Sequence, residues 1–461
     1  MNDDLFEKRI VILGLARQGK ALAKFAVSAG AHVVASDLMS PAEGTPIVGE
    51  LGNRNIEYVF GEHPLSLLDD ADFLAPSGGV PETAPIVIEA QKRLIPITND
   101  SLEFIKRVKA PVIGITGSAG KTTTTALTGA IAKKSGKTTW VGGNIGRPLI
   151  SELDNIAEDD VVVQELSSFQ LVYWTKSPSV SAILNITPNH LDRHVSMEAY
   201  SSAKANILRY QGSSDTAVLS RDDAGAAALK SEVRGRLREF SLKEEVQDGA
   251  FIRDRAIWLR DGEEEELILN VEEIPLRGAH NVKNVLAAAV LADTVGISAE
   301  AISAGVHDFL GVEHRLEIVR TINGIQFVND SIATAPERAI AAIDSFEEPI
   351  ILLAGGRDKD MVWEAWAQRV LARVKVAVLF GDLSELMARK LKEGAAQLIK
   401  HSSLVISRKT TLEEALDEAR IFAEPGDVIL LSPGGTSFDA YKDFAERGEA
   451  FKDLVNSIRA D

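Results

Sequence analysis

The residues with the plainest chemistry lie in GITGSAGKTTTT, Gly114–Thr125. Gly117 and Gly120 free the backbone to bring N–H groups close to an anion. Ser118 and Ala119 stand between them, and Lys121, Thr122 and Thr123 open an expected helix. A helix N-terminus adds partial positive charge. A lysine there reaches the outer phosphates of a nucleotide, and the next hydroxyl ligates Mg2+. The common G-x-x-x-x-G-K-[ST] pattern would need glycine where Ile115 stands. The apolar strand before the loop and the helix after it still favour a phosphate cradle over a chance Gly-Lys-Thr.

A bound Mg2+ needs hard oxygen ligands beyond one threonine. Glu165 ends the apolar stretch DVVVQE, His190 lies in NITPNHLDRH, and Lys204 lies in AYSSAKANIL on an expected helix. Residue type alone leaves plain alternatives open: a rim glutamate, a loop histidine, a solvated lysine. A second group of turns stands near the N-terminus. GLARQG puts Gly14, Leu15 and Ala16 after a first strand. It lacks the full G-x-G-x-x-G, yet such a turn still offers N–H groups to a diphosphate. Asp37 ends the second strand, and PSGGVPETAP supplies a further turn with Ser77 and Gly78.

These groups need parallel strands to aim them. Short apolar runs alternate with helical stretches in three segments, which predicts an α/β protein with parallel sheets. In the first segment, Arg9–Leu13 reads as a strand, Gly14–Gly19 as a turn, Lys20–Ser28 as a helix and His32–Ser36 as a strand. The second segment begins at APVIGITG and holds DVVVQELSS and VSAILNITPNHLD; the third holds GIQFVNDS, PIILLAGGRDKD, VAVLFGD and DVILLSPGGTS. Each strand ends in small or polar residues, where open α/β sheets collect their functional groups. The acidic run Glu263–Glu266 reads as a solvated turn tip.

Composition bounds the rest. The chain has 461 residues, 45% hydrophobic and 25% charged, with formal net charge −17 and no cysteine. An acidic chain argues against general nucleic-acid or anionic-membrane partners. The absence of cysteine excludes disulfides and thiol catalysis. The start, MNDDLFEKR, does not read as a signal peptide, and no apolar run approaches membrane-spanning length. A cytoplasmic protein, monomeric by default, is expected.

GITGSAGKTT, QELSSFQL, LNITPNHLDRH, YSSAKANIL, GAHNVKN, EHRLE and LLSPGGTSFDAYKDFAERGEAF occur in this order. Together they resemble the bacterial Mur ligases over essentially the whole chain, most closely the glutamate-adding branch. The resemblance implies three domains: a Rossmann-like N-terminal domain for a UDP-sugar (residues 1–105), a central P-loop ATPase-type parallel sheet (106–309) and a Rossmann-like C-terminal domain for glutamate (310–461). It implies ATP, two Mg2+ sites, and Lys121, Glu165, His190 and Lys204 as catalytic residues. Thr122, Glu165, His190 and a carbamylated Lys204 would ligate metal. Gly117, Ser118, Ala119, Gly120, Lys121, Thr122, Thr123, Asn281, Asn284, Arg315 and Asp330 would hold ATP. Gly14, Leu15, Ala16, Asp37, Ser77, Gly78, Asn144 and His190 would hold the UDP-sugar, with Asp37 toward uracil. Thr334, Lys359, Ser437 and Phe444 would hold glutamate. His314 beside Arg315 has no assigned role.

The implied reaction adds D-glutamate to UDP-N-acetylmuramoyl-L-alanine through an acyl phosphate, in peptidoglycan precursor synthesis. Many members of that branch read NDSKATN where this chain reads NDSIATAPE. Ile332 thus replaces a lysine and Ala335 an asparagine, which keeps L-glutamate as the alternative substrate. Sibling ligases are the next alternative, while folylpolyglutamate synthases lack the first domain. A P-loop nucleotide switch is the alternative of another class. It would need the phosphate loop but not the polar strand ends of the third segment.

Overall fold

The computed structural model describes residues 3–459 except 53–54, 189–192, 195, 360 and 397–403. Its chain folds into two compact units, Met1–Pro275 with Ala279–Phe309, and Leu276–Gly278 with Leu310–Asp461. The described residues form three sheets. No helix among the described residues is long and apolar enough to cross a membrane.

The first unit begins with β1 (Arg9–Leu13), α1 (Arg17–Ser28), β2 (His32–Asp37), α2 (Pro41–Leu51), β3 (Ile56–Phe60), β4 (Phe73–Pro76), α3 (Pro85–Lys92) and α4 (Asp100–Arg107). The four strands pair in parallel in the order β3-β2-β1-β4. Ile10, Val11, Ile12 and Leu13 are all fully buried, because helices cover both faces of a parallel sheet. α1 starts at Arg17, a turn earlier than the expected Lys20. Gly14, at φ 86°, reverses the chain within three residues, a backbone state a side chain would disfavour. A Cβ on Gly14 would also stand 3.1 Å from that of Ser77. The expected division at residue 105 falls inside α4, and Asn99 just before that helix donates 2.8 Å to the carbonyl of Gln170.

The same unit continues with β5 (Val112–Thr116), α5 (Lys121–Lys134), β6 (Thr139–Gly143), β7 (Val161–Glu165), α6 (Ser168–Leu171), β8 (Val180–Ile183), α7 (Met197–Arg209), β9 (Thr216–Ser220) and α8 (Ala224–Ala227). β10 (Arg236–Ser241), β11 (Gly249–Arg253), β12 (Ala256–Asp261), β13 (Glu264–Asn270), α9 (Ala279–Thr294) and α10 (Ala299–His307) complete it. The nine strands run in the order β13-β12-β11-β10-β9-β8-β5-β7-β6. They are parallel from β6 to β11, with β12 and β13 antiparallel at the edge. The acidic run is therefore not a turn tip. Gly262, at φ 63°, and Glu263 make the turn, while Glu264–Glu266 belong to edge strand β13. Their side chains point to solvent, where charge protects an edge from further pairing. Glu265 also pairs with Arg253 and Arg260.

The second unit holds β14 (Glu317–Ile322), β15 (Ile325–Asn329), α11 (Pro336–Ile343), β16 (Ile350–Gly355), α12 (Glu364–Arg373), β17 (Val374–Phe380), α13 (Ser384–Ala396), β18 (Val405–Arg408), α14 (Leu412–Phe422), β19 (Val428–Gly434) and α15 (Phe444–Ser457). Its sheet runs β14-β15-β19-β16-β17-β18, parallel except for β14. Separate apolar clusters fill its two faces, one around Trp363, Trp366 and Leu430, the other around Phe327, Ile429 and Phe451.

Candidate active site

β5 lies between β7 and β8, so their carboxyl ends meet at the loop Gly117–Gly120. Gly120 sits at φ 82° as the residue capping α5, and a Cβ there would come 2.5 Å from Oδ1 of Asn284. Both the left-handed backbone and the close neighbour demand glycine. Asn284 in turn accepts from the Thr124 hydroxyl at 3.3 Å and donates to Asn281 at 3.0 Å. α9 thereby brings Asn281 and Asn284 against the loop. Lys121 is half-buried, and its Nζ donates to the carbonyls of Gly117 (2.8 Å) and Ser118 (3.3 Å). Thr122 is half-buried beside it and Thr123 is buried.

Lys204 does not face solvent. It is 1% exposed, and its Nζ donates to the Gly117 carbonyl at 2.9 Å and the Thr116 hydroxyl at 3.3 Å. Burial pushes its pKa well down; the Lys121 charge adds to that, and Glu165 opposes it. Glu165 ends β7 equally buried. Its Oε1 accepts from Nδ2 of Asn144 at 2.7 Å, while its Oε2 has no hydrogen-bond partner. A buried carboxylate oxygen left bare is a poor structural solution and a good cation ligand. Among the described residues no three His, Asp or Glu side chains converge as a metal cluster. His190 lies outside the described residues.

Asn144 links helix α1 to the nine-stranded sheet. Besides its bond to Glu165, its carbonyl accepts from Arg17 of α1 at 3.1 Å. At the neighbouring turn, Ser77 donates 2.8 Å to the Gly14 carbonyl, and Arg193 donates 3.2 Å to the Gly78 carbonyl. Leu15 is buried, and Ala16 stands at the N-terminus of α1 with no side-chain cap. Asp37 has a second job: its Oδ2 accepts from the Leu15 amide at 2.6 Å and its Oδ1 from the Met39 amide at 3.0 Å. The carboxylate expected to face uracil thus builds the turn after β1.

In the second unit the glutamate candidates gather at carboxyl ends of adjacent strands: Thr334 after β15, Lys359 after β16, Ser437 and Phe444 after β19. Ser437 is buried, and Lys359 lies exposed with Nζ 5.2 Å from the Phe438 ring centre. Arg315 sits in a tight turn between His314 (φ 62°) and Leu316 (φ 47°). Asp330 holds that turn, accepting from the Leu316 amide at 3.2 Å and the Ser432 hydroxyl at 2.9 Å. These bonds hold the turn that carries Arg315. Burial pushes the Asp330 pKa up to about 7. The folded chain therefore binds this proton more tightly than the unfolded chain, whose carboxyl titrates near 3.8. Stability from this group is present below pH 3.8 and is lost as pH rises toward 7, by up to ~1.4 kcal/mol per pH unit. Asp330→Asn should flatten the fall in urea stability between pH 5 and 7, and an unchanged slope would reject this assignment.

Sequence reasoning missed several holders. Asn185, in LNITPNH, grips Ala119 from both sides: Oδ1 accepts from its amide (2.8 Å) and Nδ2 donates to its carbonyl (3.0 Å). Ser118 bonds the Tyr200 hydroxyl at 3.0 Å. His194, not only His190, belongs to the motif; it is buried, stacked on Phe169 and bonded to Ser168 at 2.9 Å. Only the strand order shows it: β8 adjoins β5, so residues just past its end meet the loop. Asn185→Ala removes two partly exposed bonds worth ~1 kcal/mol each. The expected outcome is a nucleotide KM raised about tenfold, with the thermal transition lowered by only a few degrees.

Residues 115–292 match the Mur ligase middle domain, and residues 314–435 match the Mur ligase glutamate ligase domain. A UDP-N-acetylmuramoylalanine–D-glutamate ligase of Clostridium kluyveri is 40% identical over 98% of this chain and 97% of its own. One from Pelotomaculum thermopropionicum is 38% identical over 100% of both chains. Among solved structures, a UDP-N-acetylmuramate-alanine ligase from Thermotoga maritima aligns with TM-score 0.57 at 21% identity, covering 98% of this chain and 99% of that one. A MurF ligase from Thermotoga maritima in complex with ADP aligns with TM-score 0.54 at 16% identity, covering 98% and 99%. The structural matches speak to the three-domain α/β fold, the sequence matches to descent: the chain belongs to the Mur ligase family of ATP-dependent amide-forming ligases.

Proposed function

We propose that this protein joins D-glutamate to UDP-N-acetylmuramoyl-L-alanine, with ATP as the phosphoryl donor. The relatives of nearly equal length that carry this activity in their names support the reading. The observation that carries it into chemistry is the buried pair beside the phosphate loop, Lys204 at the Gly117 carbonyl and Glu165 with its bare Oε2. The proposed domains follow the three sheets, with residues 1–105 for the UDP-sugar, 106–309 for ATP and 310–461 for glutamate.

An oxygen of the alanyl carboxylate attacks the γ-phosphorus, and the bridging oxygen leaves with ADP. The glutamate amine then attacks the acyl carbon, loses a proton, and expels phosphate. Two anions must meet in the first step, at a cost of roughly 4 kcal/mol at 4 Å in an effective dielectric of 20. Lys121 offsets that charge from the loop. Thr122, Glu165, His190 and a carbamylated Lys204 would hold Mg2+, which supplies further charge neutralisation on the phosphates. Gly14–Ala16, Ser77, Gly78 and Asn144 would orient the UDP-sugar, with Asp37 supporting its turn. Asn281 and Asn284 would line the nucleotide site, and Arg315, steadied by Asp330, would reach it. Thr334, Lys359, Ser437 and Phe444 would hold glutamate.

Phosphate release with ATP, Mg2+ and UDP-N-acetylmuramoyl-L-alanine tests the reading, with D- and L-glutamate supplied in parallel. Release only with D-glutamate is expected. Release only with L-glutamate would reverse the stereochemistry, and release without any amino acid would return the chain to a nucleotide switch.

A further inference from the structure

The amino acid in the proposed reaction brings two carboxylates and an amine that must stay free to attack. Both anions then need partners from the protein, and a charge-assisted pair is the strong solution. At the carboxyl ends of β15, β19 and β16 most cations are already committed. Arg447 is fully buried and donates to the carbonyls of Ser331 and Gly435. Arg357 pairs with Asp382 at 3.2 Å. Lys359 is exposed and serves one carboxylate in the reading above. Ile332, at the centre of the turn after β15, brings no charge.

Arg338 remains. It stands exposed in the first turn of α11, and its guanidinium folds back to donate 3.4 Å to the Ile332 carbonyl. The Thr334 amide donates to that same oxygen at 2.8 Å. Two donors on one oxygen put the guanidinium beside Thr334, a residue of the glutamate set. The 3.4 Å bond is long and easily surrendered, and no ion pair engages Arg338 among the described residues. We propose that Arg338 is the second carboxylate clamp of the amino-acid site. It grips one carboxylate of glutamate next to Thr334 while Lys359 holds the other. A planar guanidinium presents two parallel N–H donors to a carboxylate, which an ammonium does not. The inference rests on the glutamate-ligase reading and adds a specificity-determining residue to it.

The test is steady-state phosphate release by the full-length enzyme, with glutamate varied at saturating ATP and UDP-sugar. Wild type must first show glutamate-dependent release, and its absence would overturn the ligase reading itself. Given that activity, Arg338→Gln should raise the glutamate KM by about tenfold or more, leaving the KM for ATP unchanged. Arg338→Lys should fall between the two, and adding Ile332→Lys to Arg338→Gln should recover part of the loss by returning a cation to the turn. A wild-type glutamate KM in Arg338→Gln would overturn the inference. So would an equal loss for ATP and glutamate, which marks a structural role. Should Arg338→Gln not fold, Arg338→Lys carries the same comparison.

Discussion

Lys204→Ala is expected to lower turnover by roughly 10²–10⁴-fold, the range for a positioned charge or acid–base group. The fold should survive, because alanine removes a buried polar group whose desolvation the fold otherwise has to bear. The chemistry behind the loss is specific. In the proposed modification a neutral Nζ would add to the carbon of CO2: an N–C bond forms as one C=O π bond opens, the nitrogen sheds a proton, and a neutral amine becomes a carbamate anion. Burial and the neighbouring Lys121 charge already favour the neutral amine. Added acetate or formate should therefore restore part of the activity of Lys204→Ala, standing in for the missing carbamate. CO2-free buffer should slow the wild type, and bicarbonate should restore it. Turnover near wild type in the variant would remove the carbamate from the mechanism.

Lys121→Ala should remove phosphoryl transfer by about 10²–10³-fold, comparable to losing one preorganised donor at a developing charge. Single-turnover ADP formation reads this directly. Lys121 ties two loop carbonyls, so some loosening is expected, but α5 is anchored by Thr124 and Asn284 and should hold its melting transition. A collapsed transition would assign Lys121 to the fold instead. The two lysines also interact, since the Lys121 charge helps depress the Lys204 pKa. Removing Lys121 raises that pKa and leaves less neutral amine to react. The double variant should then fall short of the product of the single losses.

The strands were legible because parallel strands buried on both faces read as apolar runs, as in Arg9–Leu13 and Val161–Glu165. The phosphate loop was legible because glycine, lysine and threonine are needed there for reasons local in sequence. Partnerships across the sheet were not. Nothing local to Asn185 announces that it will hold Ala119, and nothing local to Asp330 announces that it will hold Leu316. β14 and β18, half-exposed edge strands, carried too little apolar contrast to stand out. The Glu264–Glu266 strand hid for the opposite reason, its charges being what an exposed edge tolerates. Lys204 was misleading in type, since a helical lysine is ordinarily solvated and this one is closed in by Thr116, Gly117 and Tyr200.

Asn144 touches Arg17 with its carbonyl and Glu165 with its amide side chain. Helix α1 and the buried carboxylate at the end of β7 are therefore coupled through one residue. Linkage makes any such coupling reciprocal: whatever factor the first ligand contributes to the second, the second returns to the first. Were a sugar nucleotide and a divalent ion to bind on either side of Asn144, as proposed above, each would change the affinity of the other by the same factor.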